Sequence, residues 1–159
     1  MAIAADLGAT VVATLAEGGR MTSSKFAIEV PLTIPFHDVD MIGVAWHGHY
    51  AKYFEIARCA LLDQLHYGYD AMRESGFMWP VIDMRVRYIK PVRFGQQVLV
   101  KATLREWENR LLIEYLLTDA ATGNRLTKAT TSQVAVDIES GEMCFVSPPV
   151  LFERLGVAP

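Results

Sequence analysis

The hydrophobic period of this chain changes once, and that change leaves few folds open to it. Between Tyr50 and about Tyr67, apolar residues recur at steps of three and four. Tyr50, Phe54, Ala57, Leu61 and Leu65 form a stripe that Tyr53, Ile56 and Ala60 widen, while Lys52, Glu55, Asp63 and His66 keep to a narrower polar side. The spacing predicts one long, mostly buried helix, with Gly68 as its C-terminal stop. From residue 81 the period is two. In VIDMRVRYIK (81–90), Ile82, Met84, Val86 and Tyr88 alternate with Asp83, Arg85, Arg87 and Ile89. Three further runs follow, QVLVKATLREW (97–107), RLLIEYLLTD (110–119) and RLTKATTSQVAVDI (125–138), with turn chemistry at Glu108-Asn109 and Thr122-Gly123-Asn124. FAIEVPLTI (26–34), ended by Pro35, reads as a strand ahead of the helix, and a brief strand around Cys144–Val146 is expected to close the sheet. Strands this closely spaced imply an antiparallel meander. One buried helix beside one antiparallel sheet makes the class α+β.

With 159 residues, 52% of them hydrophobic and 21% charged, the chain has the size of one domain that folds without a disulfide or structural metal. It shows no internal repeat, low-complexity tract or linker. A single domain is expected over 23–159, preceded by an N-terminal extension over 1–22 whose order the residues do not fix. That extension is alanine-rich like a signal peptide, yet its first basic residue is Arg20, so no positively charged leader precedes the apolar part. A cytoplasmic location is expected. Cys59 and Cys144 fit no C-x-x-C spacing and read as small hydrophobes in a reducing compartment. A net charge of −3 gives no overall positive field to attract nucleic acid, and no apolar run reaches the roughly 18 residues of a membrane span.

Chemistry concentrates in the connection between the first strand and the helix, FHDVDMIGVAWHGHYAKYFE (36–55). Its end supplies the helix N-terminus, whose first N–H groups have no internal partner and carry the positive end of the dipole. Gly43 and Gly48 permit unusual torsions and close backbone approach, and Asp38 and Asp40 stand a few residues before those donors. A carboxylate facing amide donors is the minimum equipment for acyl transfer. Plainer readings compete. The two aspartates also suit turns that bond their own backbone. His47-x-His49 and Glu55 approach the cupin metal motif, but the His49 to Glu55 spacing is too long, a helix follows instead of strands, and no histidine occurs after position 66 for a second motif. No metal is expected. His66 reads as a helix-end residue that meets the dipole or solvent.

The order D-x-D-x-x-G-x-x-x-H-x-x-Y, followed by an aromatic helix with E-x-x-R, resembles the 4-hydroxybenzoyl-CoA thioesterase family and its relatives, the acyl-CoA thioesterases associated with the Tol-Pal system. Asp38, Asp40, Gly43, His47, Tyr50, Glu55 and Arg58 carry the likeness, with Tyr88-x-x-Pro91 after the helix, over about residues 26–155. The resemblance implies the hot-dog fold, a long helix wrapped by a curved antiparallel sheet. It also implies a site shared between the protomers of a homodimer, commonly within a homotetramer. By the same likeness Asp40 is the nucleophile or the base for water. The backbone amide of His47, with that of Gly48, polarises the thioester carbonyl, beside Gly43 and Trp46. The chain departs from the pattern at His49, where relatives usually have Asn, and at Trp46, where the Tol-Pal relatives carry Tyr. Glu55 is a second carboxylate on the helix; the resemblance offers it as an alternative base, since some hot-dog thioesterases use a helix glutamate, and it is read here as the partner of Arg58 or Lys52.

Arg85, Arg87, Lys90 and Arg93 form a basic cluster in an otherwise acidic chain. It suits CoA phosphates or the acidic surface of an acyl carrier protein, with the solvated side of a strand as the plain alternative. Phe77, Met78, Trp79 and Met84 suit an acyl tunnel or simply a core. The expected function is hydrolysis of an acyl-CoA or acyl-carrier-protein thioester without metal or cofactor. An acyl-thioester-binding domain without turnover is the main alternative and a metal-dependent cupin-like enzyme a further one. The histidine-centred motif of the hot-dog dehydratases is not found.

Overall fold

A computed structural model describes residues 25–159, so the expected extension over 1–22 lies outside the described residues. Strand β1 (Ala27–Thr33) leads through 3-10 turns at Phe36–Asp38 and His47–His49 into helix α1 (Tyr50–Gln64). A short helix α2 (Tyr69–Glu74) and strand β2 (Phe77–Met78) follow, then β3 (Val81–Tyr88), β4 (Gln97–Glu106), β5 (Leu111–Asp119), β6 (Arg125–Gln133), β7 (Val136–Asp137) and a last helix α3 (Pro149–Leu155). Five strands make one antiparallel sheet in the order β1-β4-β5-β6-β3, and β2 pairs with β7. Helix α1 lies across the inner face over β1 and β4. Phe54, Ala57 and Leu61 pack there against Val98, Val100, Ala102, Ile113 and Leu117, all essentially out of solvent.

Only part of the meander is consecutive. Strands β4, β5 and β6 run as expected, but β3 does not pair with β4; it lies at the far edge, beside β6. Helix α1 carries the chain across the sheet, so the next strand starts on the opposite side. The run expected over 81–90 ends as a strand at Tyr88, and residues 89–96 then cross back: Ile89 and Lys90 N–H donate to the Leu126 carbonyl, and Gly95 N–H donates to the Ile34 carbonyl at 2.9 Å. Because α1 covers β1 and β4, the inward side of β3 is left open. Met84 and Tyr88 face inward by register yet stay 46% and 47% exposed, and Ile82, at an irregularity of the register, is 59% exposed.

Three further details differ from expectation. Helix α1 stops at Gln64, and the left-handed residue that ends it is His66 at φ 56°, not Gly68. His66 N–H donates to the Asp63 carbonyl and Tyr67 N–H to Leu62, the pair of bonds that closes a Schellman motif, with Tyr67 fully buried as its apolar contact. Gly68 instead precedes α2. The run 125–138 is broken after Gln133, so its last part pairs with β2. Cys144–Val146 is not a strand: a lone bridge joins Met143 to Val136, and the chain continues into α3, which Pro149 opens and Gly156 ends at φ 65°. No helix among the described residues is long and apolar enough to cross a membrane.

Candidate active site

Past Pro35 and the turn Phe36–Asp38, the chain folds into a tight hairpin. Val39 and Ala45 form a bridge, Asp40 N–H donates to the Val44 carbonyl, and Gly43 N–H donates to the Asp40 carbonyl, both at 3.0 Å. Gly43 stands at φ 77°, where a side chain is strained. The crossing segment supports this hairpin from behind: Ala45 N–H donates to Val92 at 2.7 Å and Phe94 N–H to Gly43 at 3.2 Å.

The two aspartates, two residues apart, stand in opposite surroundings. Asp38 is 2% exposed. Its carboxylate accepts bonds from the Tyr53 hydroxyl at 2.8 Å and from Lys52 Nζ, both on α1, and its carbonyl accepts Trp46 N–H at 2.9 Å. Burial pushes this carboxyl up. The bonds from Lys52 and Tyr53, with the charges of Lys52 and His49, outweigh that and hold it below the usual carboxylate range. Burial and the same carboxylate raise the Tyr53 hydroxyl. Asp38 therefore rivets the hairpin to the helix. Asp40, by contrast, is exposed; its Oδ1 accepts Ile42 N–H at 2.9 Å, an Asx turn. It also lines a pocket of about 390 Å³ with Trp46, His47, Tyr50, Tyr88 and Lys90. The turn reading and the site reading describe the same side chain.

The far wall of this pocket is the start of the helix. Trp46 precedes the 3-10 turn His47–His49, which runs directly into α1, so the amides of His47 and Gly48 come before any helical carbonyl that would accept them. The Trp46 indole lies across Gly48, where an added Cβ would stand 2.1 to 2.7 Å from three ring carbons. Gly43 thus supplies the torsion and Gly48 the close approach. The same indole touches both imidazoles, with ring centres 5.0 Å from His47 and 5.2 Å from His49. Tyr88, reaching over from β3, donates its hydroxyl to the His47 carbonyl at 2.8 Å and meets the Tyr50 ring edge-on.

Comparison with known proteins fits this geometry. The profile of the Thioesterase-like superfamily matches residues 34–154. The chain belongs to that superfamily. It is 31% identical over 121 residues to the putative acyl-CoA thioesterase YneP of Bacillus subtilis, a match spanning 76% of this chain and 84% of YneP. To the acyl-CoA thioester hydrolase YbgC of Escherichia coli O6:H1 it is 24% identical over 107 residues, 67% of this chain and 80% of YbgC. The crystal structure of DHNA-CoA thioesterase from Staphylococcus aureus superposes with a TM-score of 0.69 at 24% identity, covering 75% of this chain and 80% of that one. The helix wrapped by an antiparallel sheet is the hot-dog fold, and the chain is an enzyme of the thioesterase class.

Within this thioesterase, the remaining candidates scatter. Glu55 pairs with Arg58, itself only 7% exposed, and accepts the Tyr69 hydroxyl at 2.7 Å; it does not line the Asp40 pocket. The basic cluster divides. Lys90 borders the Asp40 pocket and Arg93 a neighbouring hollow beside Lys90 and Pro91, whereas Arg85 and Arg87 point to the outer face of the sheet. Trp79 is core, 4% exposed and edge-on to Tyr67, while Met78 is exposed. Among the described residues, no three His, Cys, Asp or Glu side chains gather as metal ligands. The Lys52–Asp38–Tyr53 anchor went unforeseen: Lys52 and Tyr53 are adjacent on a helix whose rotation relative to the loop is set only by packing.

Proposed function

We propose that this protein hydrolyses an acyl-CoA thioester, acting through a single domain over 23–159. What supports this is the placing of Asp40 and the first amides of the α1 turn on one pocket. The thioester carbonyl oxygen sits against the N–H groups of His47 and Gly48. Asp40 either attacks the carbonyl carbon or takes a proton from a water that does. The oxygen gathers negative charge that the amides stabilise, and the C–S bond breaks. If water attacks, the free acid forms at once and the thiolate takes up the proton held by Asp40; if Asp40 attacks, a mixed anhydride forms, and a water then hydrolyses it to the free acid and the Asp40 carboxylate, its released proton going to the thiolate. Gly43 shapes the turn that presents Asp40, Trp46 walls the acyl side, and Lys90 borders the mouth. Tyr88 is a positioning residue. The peptide between His47 and Gly48 is rigid, with C=O and N–H antiparallel, so a bond fixing that carbonyl also aims and polarises the Gly48 N–H.

We also propose a homodimer or homotetramer. The inward side of β3 bears exposed Met84 and Tyr88, with exposed Ile82 beside them, and as the end strand of the sheet it has, among the described residues, one edge without a partner strand. A second copy laid there covers both. The relatives' named substrates favour CoA over a carrier protein, and the two free cysteines suit a cytoplasmic enzyme.

Thiol release from a panel of acyl-CoA and acyl-carrier substrates, with and without chelator, tests this reading. Release from acyl-CoA that survives chelation is expected. Tight binding without release would make the protein an acyl-thioester binder instead.

A further inference from the structure

The outer face of the sheet, turned away from α1 and from the Asp40 pocket, gathers charge of one sign. Six cationic side chains, Arg85, Arg87, Lys101, Arg105, Arg125 and Lys128, border a hollow of about 510 Å³, against one carboxylate, Glu114. The chain as a whole holds 15 Lys and Arg against 18 Asp and Glu, so this grouping runs against its balance. Glu114 is taken by Arg105 at 2.7 Å, and Arg85 is near Asp83 at 3.4 Å. Among the described residues, no carboxylate pairs with Arg87, Lys101, Arg125 or Lys128. Glu29 is the cross-strand neighbour of Lys101, but no ion pair closes between them.

Strand register places these charges in a row. Arg87 stands directly opposite Lys128, Lys128 opposite Leu116, and Leu116 opposite Lys101. Like charges facing each other across a ladder destabilise a sheet. A merely solvated face would set a carboxylate against each cation; here, among the described residues, Arg87, Lys101, Arg125 and Lys128 have none in ion-pair range. An anion seated between the strands removes the penalty. The hollow has the size of a small-ligand site. Leu116 gives it an apolar floor for a flat ring, Thr103 and Thr130 line it with hydroxyls, and arginine forks match phosphate oxygens. A second copy of this face is the poorer occupant, since it would bring Arg87, Lys101 and Lys128 of both copies together.

We propose that the outer sheet face is a binding site for a nucleotide carrying two or more phosphate charges, centred on Arg87, Lys101 and Lys128. Two sources share that chemistry: the nucleotide end of the thioester substrate, or a free nucleotide. Only the first rests on the thioesterase reading. Tyr88 and Arg87 are neighbours on β3, one on the pocket side and the other on the outer side.

Adenosine 3′,5′-bisphosphate and ADP, titrated calorimetrically into the full-length protein, test the site without any turnover. Saturable binding that weakens with added salt is expected, and Lys128→Glu together with Lys101→Glu should raise Kd by roughly 10- to 100-fold, the loss of charge-assisted bonds. Unchanged circular dichroism and melting in the variants confirm that the fold survives. If neither nucleotide saturates the wild type, or the double variant binds as tightly as wild type, the proposal is overturned. Inhibition of acyl-CoA turnover by the bisphosphate, with acyl-pantetheine turnover untouched, assigns the site to the substrate's own nucleotide end; binding without inhibition assigns it to a free nucleotide. Turnover of the pantetheine thioester alone reports on the hydrolase reading, so the two ideas fail separately.

Discussion

Replacing Asp38 tests the anchoring aspartate apart from Asp40, the one proposed to react. Asp38→Ala leaves the Tyr53 hydroxyl, on a side chain 3% exposed, without its acceptor, a loss of about 1–3 kcal/mol. Lys52 is half exposed, so its share is screened to about 0–1 kcal/mol. A total near ~3 kcal/mol corresponds to a fall in Tm of about 6–12 °C for a chain of this size. Asp38→Asn keeps an acceptor for Tyr53 while losing the charge, and should cost only about 1 kcal/mol. The pH dependence follows from the depressed carboxyl. Its stabilisation is fully present above the unfolded value of about 3.9 and is lost as pH falls through the lower folded value. Urea unfolding followed by circular dichroism should therefore show a constant gap between wild type and Asp38→Asn above about pH 5, narrowing below about pH 4. An Asp38→Ala protein within about 0.5 kcal/mol of wild type, the scatter of ordinary surface changes, would refute the anchor. So would a gap that stays constant down to pH 3.

Asp40→Asn should leave the melting curve in place and lower kcat by roughly 10²- to 10⁴-fold in a thiol-release assay, whereas a dead Glu55→Gln beside an active Asp40→Asn would move the chemistry to the helix. Tyr88→Phe should lower kcat by about tenfold with KM little changed, the signature of a bond felt in the transition state; an equal rise in KM would mean that Tyr88 only shapes the pocket. Gly48→Ala should displace the Trp46 indole and depress activity, and Gly48→Ala combined with Trp46→Ala should recover part of it, because the clash has gone. Met84→Arg should shift sedimentation toward monomer, and a fully active monomer would exclude a shared site.

Periodicity made the central layers readable and connectivity hid the rest. The α1 stripe and the alternation of β4 and β5 are local signals, and Val98, Val100, Ala102, Ile113 and Leu117 face the helix as period two requires. No local signal says that β3 belongs at the opposite edge from β4, because residues 89–96 look the same whether they turn a hairpin or cross the sheet. Ile56, counted into the stripe, is 40% exposed for a related reason: α1 meets the sheet on one side only. His66 took the left-handed position that Gly68 advertised, since the bonds from His66 and Tyr67 N–H fix the helix end two residues earlier. At the candidate site, the turn at Asp40–Gly43 and the close approach at Gly48 were legible because neighbouring residues set both; the catalytic roles given to these residues remain a proposal. Lys101, Arg125 and Lys128 join Arg85 and Arg87 only once strand order is known, which is why a linear reading grouped Arg87 with Lys90 and Arg93 instead.

The contact of Trp46 with two imidazoles has an optical consequence. The chain holds three tryptophans; Trp79 is sealed in the core and Trp107 is stacked on Phe26, while Trp46 is half exposed between His47 and His49. An imidazole against an excited indole quenches its emission, and exclusion of water shifts that emission to the blue. With Trp79 and Trp107 replaced by Phe, the remaining fluorescence would come from the pocket wall alone, so that filling of the pocket could be followed in real time without a label.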